Sequence, residues 1–182
     1  VRRLKVACAM ALRESPVVLS GYMLCGPGGL GKTELARRVA RALDLPFVDT
    51  PASTIKSVDD FLKRVRDTLR GSGLEPEETG TDSGLPRRKF PSVVVFLDEI
   101  HVLKNPDSFL NLFEPKERRA VGSKEVGDFS AASFLCATTD KGQLRGPFRS
   151  RFIMVDLEPY SEDEVAQIVA PIFRPTFEVS QE

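Results

Sequence analysis

The sequence contains no tryptophan, one histidine and three cysteines, and its formal net charge is zero. A lone histidine, His101, cannot build a metal centre of the His-rich kind. Cys8, Cys25 and Cys136 are odd in number and form no CxxC pair. That excludes a disulfide framework and a zinc or thiol-redox site, and fits reduced thiols in a cytoplasmic protein. The 26 basic residues are balanced by 26 acidic ones, so no global field draws the chain to nucleic acid or membrane. Such binding would need local patches or several subunits acting together. No run approaches the roughly 20 apolar residues of a membrane helix, and no membrane partner is expected. The basic-then-apolar start, Val1 to Met10, is interrupted by Arg13 and Glu14. Its Leu4, Ala7, Cys8, Ala11 and Leu12 have the spacing of an amphipathic helix rather than a signal peptide. With no initiator Met, the chain is expected to be a piece of a longer protein.

What is present is a patterned chain of 182 residues, 41% hydrophobic, enough for one domain with a real core. Val17–Cys25 reads as a buried strand, Lys32–Leu43 as a helix, and Phe47–Thr50 as a second strand. Ser57 is placed to cap a helix whose stripe is Val58, Phe61, Leu62, Val65 and Leu69. Ser92–Leu97, Phe134–Thr138 and Phe152–Leu157 read as further strands, and Pro106–Phe113 as helix. Lys116–Ala132 suggests a β-hairpin, and Ser161–Glu164 a capping box opening a helix through Val169. Strands alternating with helices imply an α/β fold with a parallel sheet. Residues 71–91 hold four glycines, three prolines and the acidic run Glu75–Glu78, and are expected to be a mobile loop. Two readings of that loop stay open: a partner-contacting insertion or a tolerated surface excursion.

Gly26-Pro27-Gly28-Gly29-Leu30-Gly31-Lys32-Thr33 matches GxxxxGK[ST], between a predicted strand and a predicted helix. Glycines let the backbone wrap a polyphosphate with N–H groups pointing inward, and the helix N-terminus adds partial positive charge. Lys32 is expected to reach the outer phosphates and Thr33 to ligate magnesium, with Glu34 in the first helical turn completing the ATP-binding set. The run Val93–Leu97 delivers Asp98 and Glu99 to the end of a strand, where ligands of open α/β sheets bind. Asp98 suits the Mg²⁺ shell and Glu99 the general base for the attacking water. His101 is read as a structural hydrogen-bonding group or a sensor of nucleotide state.

Two later segments resemble motifs of AAA+ ATPases. Phe134–Asp140 is similar to the sensor 1 strand, which implies that Thr139 faces the γ-phosphate and attacking water. Leu144–Phe152 resembles the segment carrying the arginine that reaches a neighbouring subunit's site, which implies a finger at Arg151, with Arg149 second. Within that family, Gly26–Thr33, Leu97–His101, Ala137–Thr139 and Pro147–Phe152 look most like the RuvB Holliday-junction branch-migration motors. The resemblance spans about Val1 to Leu157, apart from the 71–91 segment, and Gly28 stands where RuvB usually has proline. It implies a P-loop NTPase core whose five strands, counted as predicted, lie in the order 5-1-4-3-2 with helices on both faces. Residues 1–170 would form that domain and 171–182 would begin a linker to a helical lid, largely absent here. It further implies a homo-oligomeric, hexameric ring, DNA as the polymer acted on, and a RuvA-like protein partner. Lys116, Arg118 and Arg119 are candidate phosphate contacts if a ring repeats them. Weak or no turnover is expected of the fragment alone. Two alternatives stand beside the DNA motor: a protein remodeller or assembly chaperone, and a nucleotide switch that binds without hydrolysing.

Overall fold

The computed structural model describes residues 2–177. Along the chain run α1 (Arg2–Ala11), β1 (Tyr22–Cys25), α2 (Lys32–Ala42), β2 (Phe47–Pro51), α3 (Val58–Gly71), β3 (Glu77–Asp82) and β4 (Leu85–Lys89). There follow β5 (Val93–Asp98), α4 (Leu110–Phe113), β6 (Arg119–Val121), β7 (Val126–Asp128), β8 (Ala132–Thr138), α5 (Gly146–Arg149), β9 (Ile153–Asp156) and α6 (Glu162–Phe177). The main sheet is parallel, in the order β2-β5-β8-β1-β9. This is the order expected from the five predicted strands.

Strand alternation sorts the core onto the two faces of that sheet. Val93, Val95 and Leu97 of β5 pack in one cluster with Phe61, Leu62, Val65 and Leu69 of α3. Val94 and Phe96 face the other way, against Ala36, Val39 and Ala40 of α2 and Leu4 and Cys8 of α1. Helix α3 starts where the side chain of Ser57 accepts the Asp60 N–H at 3.1 Å, with Asp59 and Asp60 in its first turn. Helix α6 starts with a reciprocal box: Glu164 accepts the Ser161 N–H at 2.8 Å, and Ser161 accepts the Glu164 N–H at 3.3 Å. No helix among the described residues is long and apolar enough to cross a membrane.

Two expectations need correction. The segment 71–91, expected as a mobile loop, is mostly a β-hairpin. Strands β3 and β4 pair antiparallel across Ser83 and Gly84, both at positive φ (53° and 82°), as a two-residue hairpin turn requires. The acidic strand faces the basic one, with Arg88 and Glu78 3.2 Å apart. Strand β4 then pairs parallel to β7, which pairs with β6, giving a second sheet in the order β3-β4-β7-β6. Because β4 leads into β5 and β7 into β8, this sheet continues the central pair past its N-terminal end. The rings of Phe90 and Phe129 stack at the joint with centroids 4.1 Å apart. The second correction concerns the last helix, which was expected to end at Val169 and runs to Phe177. Residues 171–177 continue α6, and 178–182 lie outside the described residues.

Arg118 also departs from expectation. It was a candidate for phosphate contact, but it is 7% exposed and its guanidinium donates to the Leu19 carbonyl at 2.8 Å and to the Ala132 carbonyl. Arg118 therefore ties the start of β6 to the base of the main sheet. We expect Arg118→Ala to destabilise folding by about 3 kcal/mol, because two buried carbonyls lose their donor. Chemical denaturation checks this. Loss of DNA affinity without loss of stability would contradict the structural role.

Candidate active site

The site forms where β1, β5 and β8 end. Strand β1 passes to Gly26, whose N–H donates to the Thr138 carbonyl of β8 at 3.2 Å. Gly26 sits at φ 151°, and a Cβ there would lie 2.6 Å from the Leu157 carbonyl oxygen. Gly29 and Gly31 also have positive φ, at 80° and 72°, whereas Gly28 does not. Gly28 thus needs no glycine-only conformation. Gly31 opens α2 without a side-chain cap, so the first N–H groups of the helix have no side-chain acceptor there. Lys32 is buried, and its Nζ donates to the carbonyls of Gly26 and Pro27, each at 2.8 Å. An ammonium has three donors, so one remains for an anion held in the loop. The expected residue Glu34 points to solvent, where its carboxylate pairs with Arg38 at 2.8 Å. That hydrogen bond holds its pKa below the usual range.

The Thr33 hydroxyl lies 3.3 Å from Asp98 Oδ2. Asp98 Oδ1 accepts the Glu99 N–H at 2.9 Å. Glu99 itself takes a left-handed turn, φ 50° and ψ 50°, immediately after β5. Glu99 Oε2 accepts from the Thr139 hydroxyl at 2.9 Å and from the Thr139 N–H at 3.2 Å. It also stands 3.2 Å from His101 Nδ1. The fold therefore brings Lys32, Thr33, Asp98, Glu99 and Thr139 together from three chain segments. A neighbouring hydroxyl and carboxylate are oxygen donors suited to Mg²⁺, which keeps water or phosphate in its remaining positions. The uncapped helix end and the close glycine loop suit a polyphosphate.

The two arginines of the finger segment stand in different surroundings. Arg151 is turned onto its own chain. Its Nε donates to the Leu110 carbonyl at 3.0 Å and lies 3.6 Å from Glu114, and its Nη1 donates to the Pro147 carbonyl. Arg149 is exposed and makes no ion pair among the described residues. Nearby Leu110–Phe113 is helical as expected. Phe113 is buried against Phe134, Phe148 and Phe152, so it offers no exposed aromatic grip for a polymer.

One site residue was missed. The hydroxyl of Tyr160 donates to the Leu30 carbonyl at 3.1 Å. With Leu35, Leu157 and Ile168 it lines a recess of about 370 Å³ beside the glycine loop. The signal in the sequence was Pro159-Tyr160 directly ahead of the capping box, a bend that sets an aromatic ring beyond the last strand.

The model of the ATPase family associated with various cellular activities (AAA) matches residues 22–158. The chain belongs to this family. Its sheet is the AAA+ P-loop core found in solved RuvB structures. One of these, the Thermotoga maritima RuvB Holliday junction branch migration motor, superposes with a TM-score of 0.70 at 25% identity. That match covers 96% of this chain and 49% of that one. The RuvB subunit of the Holliday junction branch migration complex of Staphylococcus haemolyticus is 28% identical over 172 residues, covering 88% of this chain and 44% of that protein. The mitochondrial Lon protease homologue of Debaryomyces hansenii is 26% identical over 161 residues, covering 82% of this chain and 14% of that protein. This AAA chain thus spans less than half the length of either curated relative.

Proposed function

We propose that this AAA chain binds Mg–ATP on Gly26, Pro27, Gly28, Gly29, Leu30, Gly31, Lys32, Thr33 and the backbone N–H of Glu34, hydrolyses it, and works as a ring-forming motor on DNA. Lys32 and the loop amides hold the phosphates, and Thr33 and Asp98 hold the magnesium. When bound there, the ion neutralises charge on the phosphate oxygens. Glu99 accepts the proton of the attacking water, with Thr139 fixing its carboxylate. Arg151 serves the neighbouring protomer's site after exchanging its contacts with Leu110, Pro147 and Glu114 for phosphate oxygens. Tyr160 and the apolar recess beside Leu30 receive the base. The observation that carries the hydrolytic reading is the joint placement of the Thr33–Asp98 pair, 3.3 Å apart, and the Thr139–Glu99 hydrogen bond, 2.9 Å long, at neighbouring strand ends.

The likeness to RuvB over 96% of the chain supports DNA as the polymer, a hexameric ring as the assembly and a RuvA-like protein as the partner. The likeness to Lon proteases at 26% to 29% identity supports a second reading, in which the same engine acts on polypeptide. Stimulation of turnover separates them. The DNA reading expects ATP hydrolysis by the full-length protein to rise with a four-way DNA junction, and the effect to fall steeply with salt. Stimulation by an unfolded protein but not by DNA, even at low salt, would overturn it in favour of the polypeptide reading.

A further inference from the structure

His101 follows Glu99 on the turn after β5, is largely buried, and stands between the Thr138 hydroxyl and the Glu99 carboxylate. Its Nδ1 is 3.0 Å from the Thr138 hydroxyl and 3.2 Å from Glu99 Oε2. The Thr138 oxygen already accepts the Asp140 N–H at 3.1 Å, so its own proton is free to donate. A carboxylate oxygen only accepts, so a bare Nδ1 at 3.2 Å would set one lone pair against another. The contact with Glu99 is attractive where Nδ1 carries a proton, and the hydrogen bond of the ring in this structure is to Thr138.

We propose that His101 is a positioning residue for Glu99: its Nδ1–H, with the two donors of Thr139, holds the carboxylate at the angle from which it meets the attacking water. The Thr139 donors both act on Oε2 of Glu99, the oxygen that also stands 3.2 Å from the imidazole. The inference rests on Glu99 being the base, as proposed above.

The test uses ATP turnover by the full-length protein, with nucleotide affinity measured separately. His101→Ala should lower kcat about ten- to hundredfold while KM and nucleotide affinity stay within about twofold, because a misaimed base slows the chemical step and not binding. Asn places an amide N–H near the Nδ1 position and should restore most of kcat, whereas Gln places it near Nε2 and should not. In a Glu99→Gln background, His101→Ala should add no further loss. An unchanged kcat in His101→Ala, equal activity of the folded Asn and Gln variants, or a full additive loss in the Glu99→Gln background would each overturn the proposal. If Glu99→Gln by itself leaves turnover intact, it is the hydrolytic assignment that fails, and the positioning role goes with it.

Discussion

Glu99→Gln is expected to keep nucleotide affinity and to lower the rate of ATP hydrolysis about 10²–10⁴-fold, the usual worth of a positioned general base. The amide preserves the size of the side chain, and its oxygen can still accept from Thr139, whose hydroxyl now lies 2.9 Å from Oε2. The fold should therefore be unaffected, and the loop around Lys32, which binds phosphate through other atoms, should grip ATP as before. What is lost is the capacity to take a proton from water. Single-turnover hydrolysis and equilibrium binding of a fluorescent ATP analogue, run side by side, read the two effects separately. A variant that hydrolyses at the original rate would remove Glu99 from the mechanism and leave the chain as a nucleotide-binding switch. A variant that loses affinity as steeply as rate would instead mean that the substitution disturbs the phosphate site.

The second large effect concerns Arg151. In the assembled protein, Arg151→Ala should lower turnover about 10³–10⁵-fold, the range for an arginine supplied to a phosphoryl-transfer site. The planar guanidinium spreads two donors over the oxygens that gain charge in the transition state. Here it is engaged by its own chain, through the carbonyls of Leu110 and Pro147 and the Glu114 carboxylate. Those contacts are partly exposed, so the side chain can exchange them for a neighbour's phosphate at modest cost. Because the arginine acts on another protomer, mixing decides the matter. Assemblies of Arg151→Ala and Glu99→Gln subunits should recover part of the activity, since some sites then pair an intact base with an intact arginine. Neither variant alone should do so. Arg149→Ala is the control, and its exposed guanidinium makes it a serious one. If the larger loss and the complementation follow Arg149, the finger is Arg149 and Arg151 is a strut holding α5 to α4.

Much of this was written locally. The glycine loop, the run ending in Asp98 and Glu99, and the threonine at 139 are each contiguous stretches. Their chemistry depends on residue type and on a strand or helix next door. The strands of the main sheet were legible for the same reason, since β5 and β8 are apolar runs of strand length, while their order came from the resemblance to AAA+ ATPases. The hairpin of β3 and β4 was not, because its strands are polar and glycine-rich. Its stability comes from pairing with β7, about forty residues further along, and from matching an acidic strand with a basic one. Composition over 71–91 carries no trace of that distant partner, beyond the Ser83-Gly84 turn.

Side-chain direction was equally hidden. Arg118 and Arg119 are adjacent and chemically alike, and a run of charges gives no reason to separate them. In the fold, Arg118 satisfies buried carbonyls at Leu19 and Ala132, while Arg119 pairs with Asp82 at the surface. The same holds for Arg149 and Arg151, and for the ring of Tyr160 against Leu30. The sequence by itself determined which groups can bind phosphate, metal and water, because that is set by chemical type within short segments. Only the tertiary structure decided which cations are available, where the polar insertion goes and how Glu99 is held. Those depend on which distant backbone carbonyls, strands and hydroxyls are brought within about 3 Å, the reach of a hydrogen bond.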